Sequence, residues 1–257
     1  MADRDPDEQY LKVLKSFRKL SREARWALFQ AQGLAGGERR HWSSVLQIRI
    51  CLISESIEHL CPDESSPEAA KHWDFSSIAS LSRNLFEAVA FFNYISTPVS
   101  PEVFTFRVLL MEYNDCMNRL RIFRQMDMHD QITRGEVEAA TFQSQLTDDN
   151  HFRTLDPHQQ KRAMTGLYPT LISLREMAGR VGQKAETWGI YDYLSTHSHT
   201  LPVSFFRITT QSRTGKENES EKALLTGTLE MLVELVDESV TFYRNDHAEF
   251  VSFKPLL

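Results

Sequence analysis

The stretch DFSSIASLSRNLFEAVAFFNYISTP, residues 74–98, decides the fold class. Asp74 offers a carboxylate to the unpaired N–H groups of a first helical turn. Behind it Ile78, Leu81, Leu85, Val89 and Phe92 recur at three- and four-residue steps, one stripe of a helix reaching about Ile95. Phe86 and Phe91 flank the other side, so the spacing predicts a helix that meets protein on more than one face. Thr97-Pro98 closes it, since proline disfavours helical backbone in the residue before it. A polar line, Ser80, Arg83, Glu87 and Tyr94, runs between the two phenylalanines. In it Arg83 and Glu87 form an i,i+4 pair of opposite charge.

Helical spacing continues in both directions. Toward the N-terminus, a helix from Asp7 carries Tyr10, Leu11, Leu14, Phe17 and Leu20 and continues through Trp26 and Phe29 to Gly33. Gly36-Gly37 then leads into a second, with Trp42, Leu46, Ile53, Ile57 and Leu60, which Cys61-Pro62 stops. Toward the C-terminus, Ser100-Pro101 opens a fourth helix running to about Met126. Thr133-Arg134-Gly135-Glu136 has the capping-box pattern and predicts a fifth helix through Leu146. Asp156-Pro157 starts a short helix ending at Gly166, and others follow over Pro169 to Arg180 and Ala185 to His199. Ser220 caps a long final helix with Leu225, Leu229, Leu232, Val236, Val240 and Tyr243 in register. Residues 1–6 read as a disordered tail and Thr209 to Ser220 as a flexible polar loop. Only Val203 to Thr210 has strand character, and one strand has no partner. The expectation is an all-α protein, a single helical bundle of long helices forming one domain over residues 1–257.

Composition agrees with that class. Glycine (10) and proline (9) are sparse in 257 residues, so turns are few. A net charge of −6 argues against coating nucleic acid by bulk charge. Cys51, Cys61 and Cys116 are odd in number and lack CxxC spacing, which suits a reducing compartment rather than a disulfide framework or a zinc knuckle. The acidic, polar N-terminus lacks a signal-peptide stretch, and no apolar run reaches membrane-spanning length. The expected location is cytoplasmic, with no membrane partner.

Motifs for common chemistries are absent. No phosphate loop, nucleophile elbow or HExxH zinc helix is present. His197 and His199 stand two apart, which on a helix turns them about 200° from each other, so they cannot share a metal. No metal and no cofactor are expected. The basic row Lys12, Lys15, Lys19, Arg22 and the cluster Arg119, Arg121, Arg124 read as solvated helix faces. Two polar groupings stand out from this background. One is Arg83 with Glu87. The other is Tyr191, Ser195 and His199, at i, i+4 and i+8 beside Ile190 and Leu194, a register that leans their hydroxyls and imidazole inward. Buried donors need partners, so the two groupings are expected to face each other across a shared network.

The segments Asp74 to Glu87 and Tyr191-Asp-Tyr-Leu-Ser195-Thr-His-Ser-His199, with Leu174-Arg-Glu-Met-Ala-Gly-Arg-Val-Gly182 before the second, resemble a bacterial all-helical family catalogued only as a domain of unknown function. The likeness runs from about residue 40 to 245. The chain is also distantly similar to the HEPN superfamily of helical bundles, several members of which cleave RNA. It lacks that superfamily's Arg-to-His signature on one helix. The spacings Arg124…His129 and Arg153…His158 occur no more often than chance places them. What the resemblance implies is a fold and a candidate pocket. Two functions follow as expectations. The first is a helical binding or interaction protein of bacterial stress or phage defence. The second is a HEPN-like ribonuclease with an atypical site, in which Arg83 holds a phosphate, His199 moves a proton, and Tyr191 and Ser195 orient them. A serine-hydrolase role for Ser195 ranks below both, because a mid-helix serine has no sharp turn to expose it. RNA, a small ligand and a second copy of the chain are the partners these readings admit.

Overall fold

The structure, a computed structural model, describes residues 6–34, 36–62, 74–179, 185–199 and 219–256. Among them are ten helices and no strand: α1 (Pro6–Gln30), α2 (Gly37–Leu60), α3 (Phe75–Ser96), α4 (Pro101–Gln125), α5 (His129–Asp148), α6 (Asn150–Thr154), α7 (Pro157–Met164), α8 (Leu174–Gly179), α9 (Ala185–Ser198) and α10 (Glu219–His247). The chain is all-α. The proposed tail over residues 1–6 lies outside the described residues except Pro6, which opens α1. The proposed loop from Thr209 likewise lies outside them, except Glu219 and Ser220, which open α10. Val203 to Thr210 also falls outside.

The helices group into two compact units, one of residues 1–96 with 178–257, the other of residues 97–177. In the first, α1 packs on α2 and α10, and α3 packs on α2, α10 and α9. The core comes from Leu14 and Phe17 of α1, Ile50 and Ile57 of α2, Ile78, Leu85 and Phe92 of α3, and Leu225, Leu229, Leu232 and Val236 of α10. Each such side chain contributes about 1.5–3 kcal/mol when fully buried. On α3, Phe86 joins Leu85 and Phe92 in the interior, which explains why apolar residues ring that helix. The inward stripe of α2 follows the expected one only in part. Ile53 and Ile57 are buried as their spacing predicts, but Ser43, Gln47, Ile50 and Ser54 also face the core, whereas Leu60 is exposed. Small hydroxyls let α2 approach its neighbours, and Ser43 Oγ lies 2.6 Å from Ser96 Oγ of α3.

Caps explain most boundaries. Asp74 accepts from Ser77 N at 3.1 Å, and Ser100 accepts from Val103 N at 3.4 Å ahead of Pro101. The fifth helix, however, begins one turn before the expected capping box. Thr133 sits inside α5 and donates its hydroxyl to His129 O at 3.1 Å. The reason is the reversal after α4. Asp127 adopts φ +51, and Met128 N donates to Phe123 O at 3.0 Å, the six-to-one bond of a Schellman ending. No glycine marks this turn, so α5 starts where the sequence signals none. The reciprocal box forms instead at α8. There Ser173 Oγ accepts from Glu176 N at 3.2 Å, and Glu176 accepts from Ser173 N at 2.7 Å. Helix therefore begins at Leu174 rather than near Pro169.

The second unit packs α4 against α5 and α6 around Phe106, Leu110, Tyr113, Cys116, Leu146, Phe152 and Ala163. Tyr113 donates to Met164 O at 3.2 Å and accepts from Gln143 Nε2 at 2.7 Å. Gly166, at φ +63, has no room for a side chain: a Cβ there would stand 2.4 Å from Met117 Cγ.

Candidate functional site

The α3–α9 pairing of the first unit brings Tyr191 of the second predicted grouping to Arg83 and Glu87 of the first. Arg83 and Glu87 lie on successive turns of α3, 2.8 Å apart through Nη2 and Oε1. Tyr191 of α9 reaches between them. Its hydroxyl donates to Glu87 Oε1 at 2.8 Å and accepts from Arg83 Nε at 3.4 Å. The guanidinium lies 5.8 Å from the phenol ring centre, and Phe86 and Trp188 wall the ring at 4.8 and 5.6 Å. Burial raises the Tyr191 phenol above its ordinary value, and Glu87 works in the same direction against Arg83, so the phenol keeps its proton as a donor. Burial works against the Arg83 charge, but the tyrosine oxygen and Glu87 outweigh it and hold its pKa above the usual one. Arg83 and Glu87 remain 25% and 31% exposed, so the ion pair faces solvent on one side.

Ser195 and His199 do not join. Ser195 donates to Tyr191 O at 2.9 Å, within its own helix. His199 stands past the end of α9 and is exposed. The inward histidine is His197, 6% exposed, in ring contact with Phe75 and Tyr193 and 3.0 Å through Nδ1 from Ser76 Oγ. Leu194 and His197 point at α3, which places Tyr191 on the flank, and the helix stops at Ser198, which leaves the i+8 position beyond its last turn.

The basic clusters are likewise accounted for. Lys12, Lys15, Lys19 and Arg22 are exposed along α1. Arg119 bonds Asp115 at 2.7 Å and Glu138 at 2.9 Å, and Arg124 bonds Glu136 at 2.9 Å, joining α4 to α5. Cys51, Cys61 and Cys116 are free and buried. Burial pushes the Cys51 and Cys61 thiols up to about 12, which leaves them unreactive near neutrality. No described helix is long and apolar enough to cross a membrane.

A second place in the same unit was not foreseen. A cavity of about 570 Å³ opens where the end of α1, the start of α2 and the end of α10 meet. Leu28, Ala31, Leu34 and Ile48 give it apolar walls, and Arg40, His41, Ser44, Tyr243 and His247 supply polar groups. The α1–α2 turn beside it needs left-handed backbone at Gly33 (φ +80) and Gly37 (φ +77). Arg39 and Arg40, in the first turn of α2, hold the ends of two other helices. Arg39 donates to Ser96 O at 2.6 Å and pairs with Asp246, while Arg40 donates to Asp246 O at 3.0 Å and pairs with Glu249. Cations at helix C-termini are favourably placed against the exposed carbonyls. Within the cavity, Tyr243 and His247 are 2% and 3% exposed and stack with ring centres 4.2 Å apart. Tyr243 OH lies 3.1 Å from Ser44 Oγ. A sequence signal did exist, since Tyr243 and His247 stand four apart on one helix, as Tyr193 and His197 do. In the sequence Tyr243 read only as the last residue of an apolar stripe.

No curated protein and no solved structure matches the chain. One family model matches residues 40–217, which include α3 and α9 with their polar cluster but only the α2 wall of the cavity. That match covers more than half of the sequence, and the chain belongs to DUF5677, a family of unknown function.

Proposed function

We propose that this protein is a cytoplasmic, non-catalytic helical binding protein that holds a small molecule in the cavity between α1, α2 and α10. The observation that carries this reading is the contrast in how polar groups are used. Arg83, Glu87 and Tyr191 bond one another, which is the pattern of a clamp between helices. The cavity instead gathers buried polar side chains inside apolar walls, at a volume within the roughly 300–1,000 Å³ usual for ligand sites. Buried thiols suit the reducing compartment that the reading assumes. A ribonuclease site would need Arg83 to release Glu87 and His199 to reach it from beyond α9.

The test is methyl-detected NMR of the full chain against a library of small fragments. Shifts concentrated at Leu28, Leu34 and Ile48, and abolished by Ile48→Arg, are expected. Shifts concentrated around Arg83 and Tyr191, or cleavage of RNA that Arg83→Ala removes, would move the site to α3 and α9.

A further inference from the structure

The chemistry of a buried polar group in the cavity wall, His247, narrows the ligand, on the reading that the cavity is a binding site. His247 Nδ1 lies 2.9 Å from Tyr243 O. A carbonyl oxygen only accepts, so Nδ1 carries the hydrogen, and the neutral ring is left with a lone pair on Nε2. The Tyr243 ring stacked on the imidazole fixes its orientation. Desolvation by burial favours the neutral form. Asp246 opposes this from 4.0 Å, and Arg40 and Arg39 support it. The Ser44 and Tyr243 hydroxyls share one hydrogen between them, which leaves a second O–H to donate.

Among the described residues of the lining, Arg40 is the one cation apart from the histidines, and Asp246 and Glu249 already compensate it. An anion or a cation held here would find no uncompensated opposite charge in the described lining to offset its loss of hydration. Leu28, Ala31, Leu34 and Ile48 fit an uncharged hydrocarbon body.

We propose that the cavity takes a neutral molecule with an apolar body and one O–H or N–H donor, and that the donor is received by Nε2 of His247. The occupant class is that of phenols, indoles and apolar alcohols, not carboxylates, phosphates or amines.

Binding of para-propylphenol, para-propylanisole and para-propylbenzoate to the full chain tests this, by methyl shifts at Leu28 and Ile48 and by the ¹⁵N shift of His247 Nε2. The phenol and the anisole share a body but differ in the O–H. The phenol should bind about ten-fold tighter, the ratio that about 1.4 kcal/mol of hydrogen bonding gives. The Nε2 resonance should move with the phenol and stay with the anisole. His247→Phe should bring the two affinities together while keeping apolar binding. His247→Gln serves if the phenylalanine variant does not fold, and the wild-type phenol-to-anisole ratio stands without either. Equal wild-type affinities, or tightest binding of the benzoate, would overturn the ligand class and leave the cavity as a site. If none of the three moves Leu28 or Ile48, the ligand class is refuted, and fragment hits at those methyls decide separately whether the cavity is a site.

Discussion

Two regions of the first unit handle buried polarity in opposite ways. Between α3 and α9, Arg83, Glu87 and Tyr191 match donors to acceptors among themselves. Where α1 and α10 end and α2 begins, Arg39 and Arg40 pair with Asp246 and Glu249, Arg40 at the cavity wall, while His247 and the Ser44–Tyr243 pair, which also line the cavity, keep hydrogen-bonding capacity. A polar group that has found its partner stabilises the fold. One that is buried with capacity to spare calls for something from outside. An Arg–Glu–Tyr motif draws the eye in a sequence, yet in this chain it works as a fastener.

The largest effect should come from the clamp that shapes the cavity. Asp246, 10% exposed, receives Arg39 and stands 3.6 Å from Arg40 Nε. Asp246→Ala should cost about 2–4 kcal/mol, because it takes a carboxylate from two partly buried guanidinium groups and leaves only Arg40 with another, Glu249. Denaturant unfolding showing less than about 1 kcal/mol would mean that solvent already screens the clamp.

Arg83→Ala comes next. Were the cluster fully buried, a similar cost would apply, but solvent reaches a quarter of the arginine side chain. The expected loss is about 1–3 kcal/mol, with a coupling to Tyr191→Phe of at least about 0.5 kcal/mol in a double-mutant cycle. Additive single variants would break the picture of a clamp between helices.

Gly37→Ala should cost about 1–2 kcal/mol through left-handed backbone alone, since nothing lies within 4 Å of the added methyl. If thermal unfolding of that variant matches wild type, the α1–α2 turn rearranges freely, and the cavity wall with it.

The smallest effect is a pH dependence. Burial depresses the His247 pKa below the ordinary 6.5. The unfolded chain therefore binds the proton more readily than the folded one. The contribution is fully present above pH ~6.5 and is lost as pH falls through the folded-state value. Comparing wild type with His247→Gln below pH ~6.5 should show a shallower loss in the variant, and equal slopes would place the titration elsewhere.

Much of the architecture was legible because its signals are local. Asp74, Ser100 and Asp156 cap the helices that follow them, and the α10 stripe from Leu225 to Tyr243 is buried as its spacing requires. The start of α5 was not legible, because Asp127 takes a glycine-like turn that residue type alone does not announce. Neither was all of the inward face of α2, where Ile53 and Ile57 are buried as their spacing predicts but Ser43, Gln47 and Ser54 share the interior with them. On α9, spacing put Tyr191, Ser195 and His199 in one register, but His197 points inward and the helix stops at Ser198, which leaves His199 outside.

The sequence by itself determined that this chain is helical and where most of its helices lie, because capping and apolar periodicity act over a few residues. It also named Arg83 and Glu87 as a group that should meet Tyr191, Ser195 and His199, of which Tyr191 does. Tertiary structure alone decided that the group closes on itself. It also decided that Gly33 and Gly37, Ser44, Tyr243 and His247, far apart in the chain, border one cavity. Whether a polar group is satisfied depends on neighbours brought from distant helices, and no local spacing carries that information.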